Sequence, residues 1–137
     1  MVLQHLPTPT TSTRKASIPA IVTELAALGV DVDASARRLS EYSYDASNYR
    51  VRPTAVVFPR NADDVVLIAQ CCHRLGTPII ARGGGTSMAG NAIGTGVILD
   101  FSRHMTRVNR IDEDAAIADV EVGVVLSHLA AATRSAT

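Results

Sequence analysis

Hydrophobic positions along this chain fall into short blocks whose spacing changes from one block to the next. Ile18, Ile21, Leu25 and Leu28 step by three, four and three, the rhythm of one helical face. Ser17 stands where a cap belongs, Pro19 is tolerated in a first turn, and Gly29 supplies the stop. Before this helix, residues 1–16 are polar, and Thr8, Pro9, Thr10, Thr11, Ser12 and Thr13 form a low-complexity run; a disordered tail is expected there. After it comes a polar stretch, 31–49, in which residues 34–39 form a short helix at most.

The middle of the chain has the clearest pattern. Residues 55–58 are a short β-rich apolar run closed by Pro59, which predicts a buried strand. Asn61 then caps a helix, with Asp64 three positions on, as in a capping box, and Asp63 and Asp64 favoured by the positive end of the dipole. Val65, Ile68, Cys72 and Leu75 share one face, and Gly76 with Pro78 ends the helix. A second strand over 78–81 follows directly. Strand, helix and strand with tight connections predict a βαβ unit with parallel strands and a right-handed crossover. Residues 97–100 read as a third strand. Two extended segments, 107–111 and 116–122, are joined by a turn at Asp112, Glu113 and Asp114. Gly123 breaks the last of these, and a helix with Val125 and Leu129 on one side begins at 124.

Composition narrows the options. A chain of 137 residues supports one modest domain or part of a larger one, and its 47% hydrophobic share argues against a chain disordered throughout. Thirteen basic and thirteen acidic residues cancel, so no gross field draws in nucleic acid or an anionic membrane. The absence of Trp and the presence of only two Phe argue against a base-stacking surface. No apolar run approaches the roughly 20 residues of a membrane span, and the start does not read as a secretory signal. The two cysteines, Cys71 and Cys72, are adjacent. That spacing suits neither a metal site nor a staple, so a reducing, cytoplasmic setting is expected; its place on the helical face assigns Cys72 to the core.

The strand at 78–81 runs into Arg82, Gly83, Gly84, Gly85, Thr86, Ser87, Met88, Ala89, Gly90 and Asn91. Glycines at a strand end admit unusual backbone conformations and let a ligand approach the main chain. Successive amides there can make a concave anion site, to which Thr86 and Ser87 add hydroxyls and Arg82 a charge. A tight bend with no ligand is the competing reading of the loop alone. No Gly-Lys-Ser/Thr ending is present, which excludes a P-loop, and the position six from Gly83 is Met88, which breaks the Rossmann fingerprint.

Several motifs in order carry a family resemblance. Asp45-Ala46-Ser47, the strand Val56-Val57-Phe58-Pro59 and Ala62-Asp63-Asp64-Val65 come first. Ala81-Arg82-Gly83-Gly84-Gly85-Thr86-Ser87, Leu99-Asp100-Phe101-Ser102-Arg103 and Val120-Glu121-Val122-Gly123-Val124 follow. With these, the stretch 44–129 resembles the N-terminal half of the FAD-binding domain of FAD-linked oxidases, the PCMH-type domain of the vanillyl-alcohol oxidase superfamily. Within it, the D-2-hydroxy-acid dehydrogenases (D-lactate, glycolate and D-2-hydroxyglutarate types) look most similar.

The resemblance implies an α/β (α+β) fold: a first subdomain with a βαβ unit followed by further strands, with 17–137 as the N-terminal part of the flavin domain. It also implies that Arg82, Gly83, Gly84, Gly85, Thr86, Ser87 and Met88 cradle the FAD pyrophosphate. Gly90 and Asn91 would continue along the cofactor, Pro59 would lie near its adenine, and Gly123 would form a second approach. Relatives with covalent flavin often carry histidine where Thr86 stands, so noncovalent FAD is expected.

Relatives continue well beyond this length, so the chain reads as a truncated form or a module completed by a partner chain, with little turnover alone. Any iron–sulfur cluster would belong to a C-terminal part. The complete enzyme would oxidise a D-2-hydroxy acid by hydride transfer to FAD, with a protein base taking the hydroxyl proton. None of His5, His73, His104 and His128 is nominated as that base. Arg50, Arg52 and Arg60 are expected to be a solvated rim, with phosphate or carboxylate binding as the sharper alternative. Tyr42, Tyr44 and Tyr49 are expected to pack first and contact cofactor second.

Overall fold

A computed structural model describes residues 18–136; the tail expected over 1–16 and the cap expected at Ser17 lie outside the described residues. The first helix, α1 (Ile18–Ala27), carries the predicted face, with Ile21 and Leu25 wholly buried. It closes as a Schellman turn: Gly29 N–H donates to Ala26 O (3.0 Å) and Val30 N–H to Leu25 O (3.2 Å). Leu28, expected on the buried face, is 41% exposed because the chain turns away there. The polar stretch contains a two-residue strand, β1 (Val32–Asp33), which the sequence pattern did not show. A short helix, α2 (Ala36–Glu41), follows, with Ser35 Oγ accepting from Arg38 N–H.

Next come β2 (Ala55–Val57), α3 (Ala62–Arg74), β3 (Ile79–Arg82) and β4 (Val97–Asp100). The sheet order is β1-β2-β4-β3; β1 is antiparallel to β2, and β4 is parallel to both β2 and β3. The predicted parallel arrangement is present, but β2 and β3 are not neighbours. β4 inserts between them, because its continuous apolar run is the segment best suited to a position buried on both faces. All four of its residues are buried, whereas Ile79 and Ala81 of the edge strand β3 are exposed.

Alternation along the strands sorts the core. Ala55, Val57, Val97 and Leu99 pack with Ile21, Leu25, Ile68, Cys71 and Cys72 of α1 and α3. Val56, Phe58 and Ile98 face the other way and pack with Leu39 of α2. Both cysteines are buried as free thiols, and burial pushes the Cys72 thiol up to about 11.

The start of α3 shows how the capping box is built. Asn61 Oδ1 accepts from Asp64 N–H (2.9 Å), but the return bond comes from the residue before the cap: Arg60 N–H donates to Asp64 Oδ2 (2.9 Å). The Arg60 guanidinium also binds Asp64 and reaches Gly29 O (3.1 Å), tying α3 to the end of α1. These bonds hold the buried Asp64 carboxyl below the usual carboxylate range, the Arg60 side-chain bond first among them. Such a group stabilises the fold above its unfolded pKa and loses that contribution as pH falls through the folded value. Asp64→Asn is therefore expected to cost about 1–2 kcal/mol at neutral pH. The deficit relative to wild type should shrink as pH drops below about 4, as urea unfolding at pH 7 and pH 3 will measure.

A separate hairpin follows, β5 (Val108–Asp112) and β6 (Ile117–Val120), antiparallel with an irregular step between Val108 and Arg110. Its turn is fixed by Ala115 N–H donating to Asp112 Oδ1 (3.0 Å) and closes at Ala116, φ +53°. The last helix, α4 (Leu126–Ala136), begins two residues later than expected, and Val125 is 51% exposed rather than packed. No helix among the described residues is long and apolar enough to cross a membrane.

Candidate functional site

β2, β3 and β4 run in one direction, so their carboxyl ends open at one edge of the sheet. Ligands of parallel sheets bind at that edge, and the glycine-rich loop leaves it from Arg82. Among the described residues, no protein acceptor takes the amide N–H of Gly83, Gly84, Gly85, Thr86, Ser87 or Met88. Further along the loop the amides are engaged: Ser87 Oγ accepts from Asn91 N–H (3.1 Å), and Asp45 Oδ2 accepts from Ala92 N–H (3.3 Å). The loop is thus anchored at its far end and leaves a run of donors open at its near end.

The glycines divide by what surrounds them. Gly85 has φ +69°, a conformation L side chains rarely adopt. Gly83 has nothing within 4 Å of where a Cβ would stand, and at Gly84 the nearest atom is Thr86 Cγ2 at 3.7 Å. Nothing inside the chain excludes a side chain at 83 or 84. Glycine there leaves a strip of bare main chain beside unpaired donors, which suits an anion pressed onto the backbone.

Beneath the loop lies a polar network that the sequence pattern did not reveal. The Tyr42 hydroxyl donates to Asp100 Oδ2, while Ser102 N–H (2.8 Å) and Ser102 Oγ (2.6 Å) bind Asp100 Oδ1. Asp100 is only 5% exposed. Burial, with the Asp100 bond second, pushes the Tyr42 phenol up to about 12, so it stays protonated as a donor. Arg82, paired with Asp100 in the β3–β4 register, lies over the Tyr42 ring at 4.8 Å. The only sequence signal for this network is the position of Asp100 and Arg82 at two strand ends.

The structure brings Arg82, Gly83, Gly84, Gly85, Thr86, Ser87, Met88, Gly90 and Asn91 together in one loop, with Met88 84% exposed. Pro59 sits at the same sheet edge, but its ring is below 2% exposure and presents no surface to a ligand. Gly123 packs on the segment after β4, where Phe101 N–H donates to Arg82 O (3.0 Å) at the start of the loop. The Gly123 N–H donates to Met105 O (2.8 Å), and a Cβ there would lie 2.2 Å from Phe101 O, so the chain itself requires this glycine.

Of the basic rim, Arg60 is tied to Asp64, and Arg50 stacks on Tyr44 at 4.7 Å. Tyr42 packs edge-on against Phe58 (6.2 Å between centroids), as expected of a packing residue. Tyr44 and Tyr49 are 46% and 62% exposed, and Tyr49 lies against Gly90.

Residues 53–137 match the protein family described as "FAD binding domain". The chain belongs to this family. Its FAD-binding fold is the PCMH type that the sequence motifs implied. It is 43% identical over 90 residues to D-2-hydroxyglutarate dehydrogenase of Escherichia coli (strain K12), covering 64% of this chain and 9% of that protein. It is 39% identical over 106 residues to glycolate oxidase subunit GlcD of Bacillus subtilis (strain 168), covering 75% of this chain and 22% of that one.

Among solved structures, wild-type BBE-like 1 of Physcomitrella patens superposes with a TM-score of 0.73 at 26% identity, over 85% of this chain and 26% of that one. The 4-ethylphenol oxidase of Gulosibacter chungangensis superposes with a TM-score of 0.69 at 25% identity, over 86% of this chain and 24% of that one. The chain therefore spans less than a quarter of the length of these two named relatives.

Proposed function

We propose that this chain holds the pyrophosphate of FAD in an FAD-dependent oxidoreductase of the D-2-hydroxy-acid dehydrogenase type. The observation that carries the reading is the run of unpaired amides from Gly83 to Met88 beside open side-chain positions at Gly83 and Gly84. Two linked phosphates need several donors on a surface that lets them close to hydrogen-bond distance, and this loop offers both. Thr86 and Ser87 add hydroxyl groups, and Gly90 and Asn91 extend the wall along which the dinucleotide would lie. Pro59 shapes the edge from within rather than touching adenine.

FAD, when bound, supplies acceptance of the hydride from the hydroxy acid; this chain's contribution is to bind and orient it. The loop contains neither histidine nor cysteine, which supports noncovalent attachment. The substrate class rests on the two named dehydrogenase and oxidase relatives. The free, buried thiols of Cys71 and Cys72 suit a reducing, cytoplasmic setting.

A second observation favours a chain that needs more protein to turn over. Ile117, Val122, Val125 and Leu126 are 63%, 65%, 51% and 78% exposed, and exposed large apolar side chains mark a contact surface where they join into one patch. Further protein, from the same polypeptide or a partner, covers it in this reading and completes the substrate site.

Titration of the purified chain with FAD, followed by flavin fluorescence, tests the proposal. Saturable binding is expected, with intact flavin released on acid precipitation and no oxidation of D-lactate or D-2-hydroxyglutarate by this chain alone. A chain that takes up no FAD, tested at concentrations up to the millimolar range, contradicts the proposal.

A further inference from the structure

The sequence offered Arg82 as a positive charge for phosphate, yet one of its guanidinium nitrogens, Nη1, is engaged elsewhere. Nη1 donates to Tyr44 O (2.7 Å) and to Ala92 O (3.2 Å), carbonyls on the flanking segment and at the far end of the loop. Its flat face rests on the Tyr42 ring, which Asp100 fixes through the phenol. At Gly85 a Cβ would lie 2.3 Å from Nη2 and 2.7 Å from Cζ, so the guanidinium fills the space on the side-chain side of the left-handed turn. The peptide after Gly85 is oriented too: Gly85 O accepts from Ala46 N–H (3.1 Å). In a trans peptide the N–H of Thr86 then points the opposite way, away from the 45–46 segment.

We propose that Arg82 is a positioning residue: its guanidinium sets the curvature of the loop from the inside and does not itself ligate phosphate. One planar fork joins the strand end, the turn, the loop's exit and the flanking segment, and so fixes which way the open amides face. A lysine ammonium can give two bonds, as Nη1 does here, but it has no flat face to lie on the Tyr42 ring and no second nitrogen in place of Nη2 to fill the space beside Gly85. The proposal rests on the FAD reading for its ligand but not for its structural content.

Two measurements on the full chain test it. In the first, FAD affinity is measured for R82K, R82Q, G85A and the R82Q/G85A double variant. R82K and R82Q are each expected to weaken FAD about tenfold or more, since small misplacements of binding groups are costly. The double variant should lie within about threefold of the weaker single one, because both changes act on the same volume. Wild-type affinity in R82K, which keeps the charge, or fully additive losses would overturn the proposal.

The second measurement needs no flavin: amide exchange at Ala46 and Ala92, which donate to Gly85 O and Asp45 Oδ2. R82K should lose protection at both while the amides of α3 keep theirs; unchanged protection at Ala46 and Ala92 overturns the proposal. If wild type itself takes up no FAD, the functional reading fails and this exchange experiment alone judges the role of Arg82. If R82Q does not fold, R82K and G85A carry the first measurement.

Discussion

Gly84→Ala is expected to leave the fold as stable as wild type and to weaken FAD binding by about tenfold or more. The added methyl meets only Thr86 Cγ2, at an ordinary contact distance of 3.7 Å, and Gly84 is outside the left-handed region. Replacing glycine at such a position reduces the freedom of the unfolded chain and is neutral or mildly stabilising, by up to ~1 kcal/mol. The same methyl stands on the strip of main chain where a phosphate oxygen must come within about 3 Å of the amides. Losing one charge-assisted hydrogen bond costs about 1.5–3 kcal/mol, which is on the order of ten- to a hundredfold in affinity. Thermal unfolding and FAD titration on the same sample separate the two effects. Equal affinity would show that the loop does not meet the cofactor at this point.

The identical substitution twelve positions on is expected to do the reverse. At Gly96 a Cβ would lie 1.9 Å from Pro78 O and 2.6 Å from Pro78 C, both backbone atoms. Neither side is free to yield. Pro78 O accepts from Val97 N–H (2.9 Å), and Gly96 O accepts from Thr54 N–H (2.8 Å), so the start of β4 is clamped between the segments leading into β3 and β2. Gly96→Ala must push these strand starts apart, at about 2–4 kcal/mol and a drop in Tm of roughly 10 °C. Thermal unfolding by circular dichroism measures it, and a Tm within two or three degrees of wild type (on the order of 1 kcal/mol or less) would show that the clamp is softer than its geometry.

What could be read from the sequence follows the range of the interactions. The α3 helix was legible because its cap, Asn61, and its core face, Ile68 and Cys72, are set within a few turns of one another. The glycine-rich loop was legible as a candidate site because its composition is local. The insertion of β4 between β2 and β3 was not, since strand order depends on which edge buries best over the whole domain. Nor was the Tyr42–Asp100–Arg82 network, which exists only once the β3–β4 register sets Arg82 opposite Asp100. Leu28 and Val125 fitted their helical faces in sequence but stand where no neighbouring element covers them among the described residues. Gly123 reads in sequence as a strand breaker and Gly96 carries no signal of its own; the need for glycine at both comes from carbonyls of Pro78 and Phe101, about twenty residues away in each case.

The central claim is that the main chain from Gly83 to Met88 binds the flavin's phosphates. Titrating isotopically labelled chain with FAD, and following individual amides by NMR, addresses it most directly. The amides of Gly83, Gly84, Gly85, Thr86, Ser87 and Met88 should shift and slow in exchange as FAD saturates, while those of Gly29 and Gly76 at the helix ends should not. Saturable FAD binding with these loop amides unmoved would contradict the account.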